Sequence, residues 1–160
     1  MEQRLWHAAY PAGLPRDLDI EESETLVTLL ERAFARYAPR TAISCAGESL
    51  TYAEVERASA LLARSLQAAG LQRGDRVALL LHNNLLYPVA LAAILRAGMV
   101  GVTMNPLYTA RELQYQLSDS GAAALLAGEP FMPLIAEVLD QTQVRHVLTV
   151  PMQGVRQALL

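Results

Sequence analysis

The stretch from Gly74 to Ala127 constrains the fold more than any other part of the chain. It begins with an apolar run of strand length, Arg76 to Leu81. After a polar break it continues with a nearly all-apolar segment of helix length, Leu85 to Ala97, and a second apolar strand, Met99 to Met104. Another helical segment follows. Strands and helices that alternate in this way are typical of right-handed crossovers between parallel strands, so the sequence predicts an α/β fold.

Apolar strand starts recur along the second half of the chain. They lie at Val77, Val100, Ala123 and Val144 to Val147, roughly 23 residues apart, which is the length of one strand, one helix and two short loops. The runs lack polar alternation, as expected of strands that are covered on both faces. We predict a doubly wound, Rossmann-like open sheet of parallel βαβ layers, with Phe131 to Gln141 as its last crossover helix.

The first 22 residues differ in character from the rest. They carry two prolines and most of an acidic run from Asp17 to Glu24. We expect residues 1–22 to form an extended N-terminal arm, with Trp6 and Tyr10 as its anchors, and residues 23–160 to form one domain. The final apolar pattern, from Val155 to Leu160, has no terminal breaker, so we expect this domain to be an incomplete part of a larger one.

A helix and a hairpin are predicted before the parallel sheet. Leu26 to Tyr37 places its apolar residues on one helical face, with Ser23 or Thr25 as the N-cap. Two short strands, Thr41 to Cys45 and Glu48 to Thr51, follow on either side of a two-residue turn.

Two further helices begin with capping boxes, in which a threonine hydroxyl and a glutamate three residues later satisfy each other's backbone N–H groups. These are Thr51-Tyr52-Ala53-Glu54 and Thr109-Ala110-Arg111-Glu112, and Gly70 and Gly121 end the two helices. The buried stripe predicted for the first helix comprises Val55, Ala58, Leu62, Leu66 and Ala69.

Composition excludes several classes of function. All 13 basic residues are Arg, which excludes a Walker A lysine, a Schiff-base lysine or a lysine general base within these residues. The net charge of -3 argues against a nucleic-acid partner. Cys45 is the single cysteine, so no internal disulfide forms. The early Glu2 argues against a signal peptide, and no apolar run reaches transmembrane length. We therefore expect a cytoplasmic protein.

Ligands of open parallel sheets bind beyond the carboxyl ends of the strands, and three loops lie there. They are His82-Asn83-Asn84, Asn105 to Tyr108, and Gly128 to Pro130. Histidine is the side chain type whose ordinary charge change lies nearest neutral pH, so His82 could serve as a general acid or base. The favoured interpretation is a solvated loop residue, with Asn83 or Asn84 capping the next helix. Asn105 is likewise interpreted as a turn residue before proline.

The candidate site residues are therefore His82, Asn83, Asn105 and Tyr108, and no catalytic, cofactor-binding or metal-ligating residue is assigned. No glycine lies between Leu81 and Gly98, so a dinucleotide-binding fingerprint is absent. The three histidines are dispersed, without metal-ligand spacing.

Several segments resemble the AMP-forming acyl-CoA synthetase (adenylate-forming) superfamily. Leu50 to Val55 is similar to its first core motif, and Ile94 to Thr109 contains residues similar to its second. A further set resembles the bacterial long-chain fatty-acid–CoA ligases: Tyr10 to Pro15, Gly74 to Ala78, Tyr87 to Ala90, Arg111 to Leu113 and Leu117 to Ala122.

The resemblance implies a two-step ligase. ATP and a fatty acid give an acyl-adenylate and pyrophosphate with Mg²⁺, and the CoA thiol then displaces AMP. The family's phosphate loop, nucleotide-binding segments and catalytic lysine lie beyond the matched region. The resemblance therefore implies the N-terminal part of an AMP-binding domain. The full-length enzyme would use ATP, Mg²⁺ and CoA, whereas this chain alone would bind none of them and would be inactive.

Other hypotheses remain open. The arm and the strand edges could make the chain an assembly module, and a homodimer is consistent with the family. A freestanding nucleotide-binding domain is a third hypothesis, against which the absent glycine fingerprint argues. Within the ligase hypothesis, a medium-chain or aromatic-acid enzyme is an alternative to a long-chain one. The resemblance also allows a peripheral position at the inner membrane for the full-length enzyme.

Overall fold

The computed structural model of the protein describes residues 4–15, 17, 23–151 and 155–159. Its α-helices are α1 (Leu26–Tyr37), α2 (Tyr52–Ala68), α3 (Leu86–Arg96), α4 (Ala110–Ser120), α5 (Met132–Val138) and α6 (Val155–Leu159). Its strands are β1 (Thr41–Cys45), β2 (Glu48–Thr51), β3 (Arg76–Leu80), β4 (Val100–Thr103), β5 (Ala124–Gly128) and β6 (His146–Val150). Three short 3-10 helices comprise Leu5–Ala9, Glu129–Phe131 and Leu139–Gln141.

Four of the strands form one parallel sheet in the order β4-β3-β5-β6. The chain passes from β3 outward to β4, crosses back to β5 on the other side of β3, and continues outward to β6. The prediction of a doubly wound open sheet is confirmed. Because β3 and β5 occupy the centre, both of their edges are hydrogen-bonded and both of their faces are available for packing.

Helices cover the sheet on both faces, as the alternating directions of the β3 side chains show. Val77 and Leu79 are buried in a core that also contains residues of α1, α2 and α3. Ala78 and Leu80 point to the opposite face and are buried against residues of α4 and α5. Successive side chains of a strand point to opposite faces, so a continuous apolar run is what two covered faces require.

The two outer strands are less completely covered than the sequence predicts. β4 and β6 are half-buried, with Val100 at 47 % exposure. Each outer strand has a paired neighbour on one side only among the described residues. Coverage on both faces therefore holds for β3 and β5 but not for the outer strands.

The small N-terminal layer follows the prediction closely. Strands β1 and β2 pair antiparallel, and the turn between them places Ala46 and Gly47 at positive φ, as tight hairpin turns require. Thr25, rather than Ser23, caps α1, because its side chain accepts a hydrogen bond from the Thr28 N–H.

Both predicted capping boxes are formed, at the starts of α2 and α4. Gly70 and Gly121 have positive φ after the two helices. The predicted stripe of α2 needs correction, because Ala69 is exposed whereas Ser59 and Ala63 are buried. Helix α2 ends at Ala68, so Ala69 lies beyond the part of the helix that faces the core.

Two other sequence expectations are wrong in part. The arm is not wholly extended, since Leu5–Ala9 forms a 3-10 helix. Trp6 is 60 % exposed and its ring contacts that of His7, while Tyr10 is also exposed. Neither residue anchors the arm by burial. Residues 18–22 of the acidic run lie outside the described residues.

The predicted last crossover helix is divided into three pieces. The 3-10 helix Glu129–Phe131 leads into α5, and the 3-10 helix Leu139–Gln141 follows it. At the end of this segment, the backbone N–H and the hydroxyl of Thr142 both donate to the Leu139 carbonyl, at 3.0 and 2.8 Å. This bond to the third residue back favours a 3-10 turn over another α turn.

Helix α6 occupies the final apolar pattern, and Leu160 lies outside the described residues. In the described part of the chain, no helix combines the length and the apolar character needed to span a bilayer.

Candidate functional site

The carboxyl ends of the four parallel strands lie at one edge of the sheet, and the candidate loops follow them. From β3 the chain turns into α3 on one face, whereas from β5 it turns towards α5 on the other face. Because the two connections diverge, a crevice is expected between the ends of these neighbouring strands. Doubly wound sheets bind their ligands at such a switch point.

His82 and Phe131 meet at this switch point. His82 follows β3, Phe131 follows β5, and their ring centroids are 5.1 Å apart with a 38° tilt. Phe131 is buried and His82 is exposed. The imidazole therefore covers the aromatic ring and bridges the two strand ends. The part of the chain that the structure describes provides no hydrogen-bond partner that would orient the His82 ring as a general acid or base.

Asn84 has the capping role that the sequence analysis favoured for Asn83 or Asn84. Its Oδ1 atom accepts hydrogen bonds from the N–H groups of Leu86 and Tyr87, both at 3.0 Å, and so caps the start of α3. Asn83 is exposed, and its carbonyl accepts a 3.5 Å hydrogen bond from the Cys45 thiol. The end of β1 thereby contacts the loop after β3.

The loop after β4 is a turn, as predicted. The Oδ1 atom of Asn105 accepts a hydrogen bond from the Leu107 N–H at 3.0 Å, and its carbonyl accepts one from the Tyr108 N–H at 3.1 Å. Tyr108 is half-buried against the core between the sheet, α4 and α5. It also lines an open groove of about 590 Å³ on the surface of α4, together with Arg111 and Tyr115.

The four predicted site residues thus lie at the expected edge of the sheet but do not form one cluster. Within the described ranges, no hydrogen bond or ring contact joins His82 to Asn105 or Tyr108. The residue that sequence reasoning missed is Phe131. Its position directly after the predicted strand end at Gly128-Glu129-Pro130 indicated this edge, but its contact with His82 depends on the strand order.

The strand-end loops have little of the chemistry that phosphoryl or adenylyl transfer needs. Such transfers require positive charge and hydrogen-bond donors positioned around the phosphates. The loops after β3 and β5 contribute an imidazole, two amides and the Glu129 carboxylate. No group of three or more His, Cys, Asp or Glu side chains in the described part of the chain could hold a metal ion.

Comparison with known proteins agrees with the fold and with the sequence motifs. The family described as AMP-binding enzyme matches residues 30–159. The long-chain-fatty-acid–CoA ligase of Yersinia pestis is 45 % identical over 147 residues, which cover 91 % of this chain and 26 % of the ligase. The corresponding ligase of Bacillus subtilis is 37 % identical over 146 residues, with the same two coverages.

Solved structures show the same architecture. The crystal structure of a long-chain-fatty-acid-CoA ligase from Archaeoglobus fulgidus superimposes with a TM-score of 0.81 at 24 % identity, over 94 % of this chain and 32 % of that one. The chain spans about a quarter of the length of the curated relatives, in their N-terminal portion. With a family match over most of its length, the chain belongs to the AMP-binding enzyme family.

Proposed function

We propose that this chain is the N-terminal part of a long-chain fatty-acid–CoA ligase that acts in the cytoplasm. The full-length enzyme would use ATP and Mg²⁺ to convert a fatty acid to its acyl-adenylate, and would then transfer the acyl group to the CoA thiol. The observation that carries the proposal is the 45 % identity to the Yersinia pestis ligase over 91 % of the chain.

Within that enzyme the chain acts as a scaffold rather than as the reacting site. Its sheet presents two strand ends at a switch point, where His82 and Phe131 are in contact. The chain contains no lysine, and the described loops after β3, β4 and β5 have no clustered positive charge to hold a triphosphate. The groups that bind and activate ATP therefore come from the remaining length of the ligase.

A chimera tests this proposal. The matched N-terminal portion of the Yersinia pestis ligase is replaced by residues 1–160, and the formation of palmitoyl-CoA from palmitate, ATP and CoA is measured. We expect the chimera to retain palmitate-dependent activity, because the two segments share their fold and nearly half of their residues. A folded chimera without activity, beside an active parent ligase, would contradict the proposal.

The acid preference separates the long-chain proposal from its alternatives. The full-length enzyme that contains residues 1–160 is assayed with palmitate, octanoate and benzoate under the same conditions. A preference for palmitate supports a long-chain ligase. A preference for octanoate favours a medium-chain enzyme, and a preference for benzoate favours an aromatic-acid enzyme.

Assembly is a second candidate function, favoured by the outer edge of β6. In the described part of the chain, β6 pairs with β5 on one side and with no strand on the other. Unpaired strand edges can pair with another chain. Sedimentation equilibrium over a range of concentrations tests this function: a monomer–dimer equilibrium supports it, and a monomer at all concentrations contradicts it.

A further inference from the structure

Arg156 of α6 contacts two elements that lie far from it in the sequence. Its Nη2 atom donates to Oε1 of Glu54 at 2.7 Å, and its Nη1 atom donates to the carbonyl oxygen of Ser49. Glu54 lies in the first turn of α2 and Ser49 lies in β2. The guanidinium therefore joins the last described helix to the hairpin and to the start of α2 at the same time.

Glu54 takes part in two contacts through different oxygen atoms. Its Oε2 accepts hydrogen bonds from the N–H and the hydroxyl of Thr51, at 2.7 and 3.0 Å, and this closes the capping box of α2. Its Oε1 remains available for Arg156. The Glu54 side chain is 14 % exposed and that of Arg156 is 38 % exposed, so solvent reaches the ion pair from the arginine side only in part and screens it less than a fully exposed surface pair.

Helix α6 depends on such contacts for its position. A helix of five residues is too short to be stable alone in water. Among the side chains of α6 that the structure describes, Leu159 packs against the core formed with α1, α2 and α3. Leu159 also lines an apolar groove of about 220 Å³, beside Leu61 of α2 and Leu148 of β6.

We propose that the contact of Arg156 with Glu54 and Ser49 is a latch that holds α6 in place as one wall of this apolar groove. Opening the latch releases α6 and exposes the part of the core against which Leu159 packs, while the sheet and helices α1–α5 stay folded. The proposal rests on contacts within this chain and is independent of the proposed ligase activity.

The chain contains a matched control for the role of Glu54. Glu112 forms the same capping box with Thr109 at the start of α4. None of the ion pairs among the described residues involves Glu112. A Glu→Gln substitution at either position weakens a capping box, but only the substitution at 54 also weakens the latch.

Hydrogen exchange measured by mass spectrometry on the whole chain tests the latch, with the variants Arg156→Ala, Glu54→Gln and Glu112→Gln. We expect Arg156→Ala and Glu54→Gln to raise the exchange rate in the peptide that contains α6 by more than tenfold. Peptides from β3 and β5 should keep their protection, and Glu112→Gln should leave the α6 peptide unchanged.

Three results would overturn the proposal. The first is an α6 peptide whose exchange is unaffected by both Arg156→Ala and Glu54→Gln. The second is an equal increase at α6 in Glu112→Gln, which would show an effect of general destabilisation. The third is global unfolding of either latch variant, seen as lost protection in β3 and β5, because the latch is proposed to open locally.

Discussion

Leucine truncation on the two faces of β3 measures how completely the sheet is covered. Leu79 and Leu80 are neighbours in the central strand, and both are fully buried. Leu79 lies in the core with α2 and α3, whereas Leu80 lies in the core with α4 and α5. Leu107 is 82 % exposed and provides the control. We predict that Leu79→Ala and Leu80→Ala destabilise the protein to a similar extent.

The expected loss of the free energy of unfolding follows from the atoms that each substitution removes. Each substitution removes three buried carbons, worth about 0.8 kcal/mol each, or about 2.4 kcal/mol of transfer free energy. The cavity left in a close-packed core raises the loss to about 3–5 kcal/mol. The free energy of unfolding falls by about 2 kcal/mol per molar urea, so a loss of this size lowers the urea midpoint of unfolding by about 2 M. Leu107→Ala should change the free energy of unfolding by less than about 0.5 kcal/mol.

The assay is urea unfolding followed by far-ultraviolet circular dichroism. If the sheet is covered on both faces, Leu79→Ala and Leu80→Ala should cause large and similar losses of the free energy of unfolding. A loss for Leu80→Ala as small as that for Leu107→Ala would refute the reasoning, because it would mean that α4 and α5 do not pack on the second face.

Two further predictions concern the capping boxes. Thr51→Ala and Thr109→Ala should each lower the free energy of unfolding by about 0.5–2 kcal/mol in urea melts, because each removes an N-cap. The control is Ser44→Ala, at an exposed strand residue. Equal effects of all three substitutions on the free energy of unfolding would contradict the role of the caps. The hydrogen bonds from the Thr51 N–H and hydroxyl, and then the charge of Arg156, hold the pKa of Glu54 below its ordinary value of 4.5; Thr109 lowers the pKa of Glu112 in the same way. A carboxyl whose pKa is lower in the folded state stabilises fully above its unfolded pKa and loses this effect as the pH falls through the folded value. The urea midpoint of unfolding should therefore fall on acidification below about pH 4.5. It should fall less in a Glu54→Gln, Glu112→Gln double variant. An identical pH dependence of the midpoint in the two proteins would contradict the stabilising role of these two carboxylates.

The sequence predicted the elements of the fold well because their signals are local. Strands β3, β4 and β5 lie within a few residues of their predicted positions, since continuous apolar runs indicate buried strands. The starts of α2 and α4 were predicted from capping boxes, whose hydrogen bonds span three residues. Local chemistry is sufficient for both kinds of prediction.

The arrangement of the elements could not be read from the same signals. Periodicity indicates parallel strands but does not say which strand lies at the centre, so the contact between His82 and Phe131 could not be predicted. The contact of Arg156 with Glu54 joins residues 102 positions apart, and nothing local to either residue indicates it. The division of the last crossover helix also went unpredicted, because its apolar pattern continues through the 3-10 turns.

The candidate site was predicted only in its location. Loops that follow parallel strands lie at the carboxyl edge of the sheet. This rule predicted the position of His82, Asn83, Asn105 and Tyr108, and the structure has them at that edge. The side chains of Asn84 and Asn105 are engaged in a cap and a turn, and local sequence had indicated these roles.

The most direct test of the central claim is fatty-acid-dependent exchange of labelled pyrophosphate into ATP, measured with Mg²⁺ and palmitate. The purified chain and the chimera with the Yersinia pestis ligase are assayed side by side. If the chain is a scaffold within an adenylating enzyme, we expect the chimera to catalyse the exchange and the chain alone to show none. Palmitate-dependent exchange by the chain alone, or its absence from a folded chimera, would contradict the account.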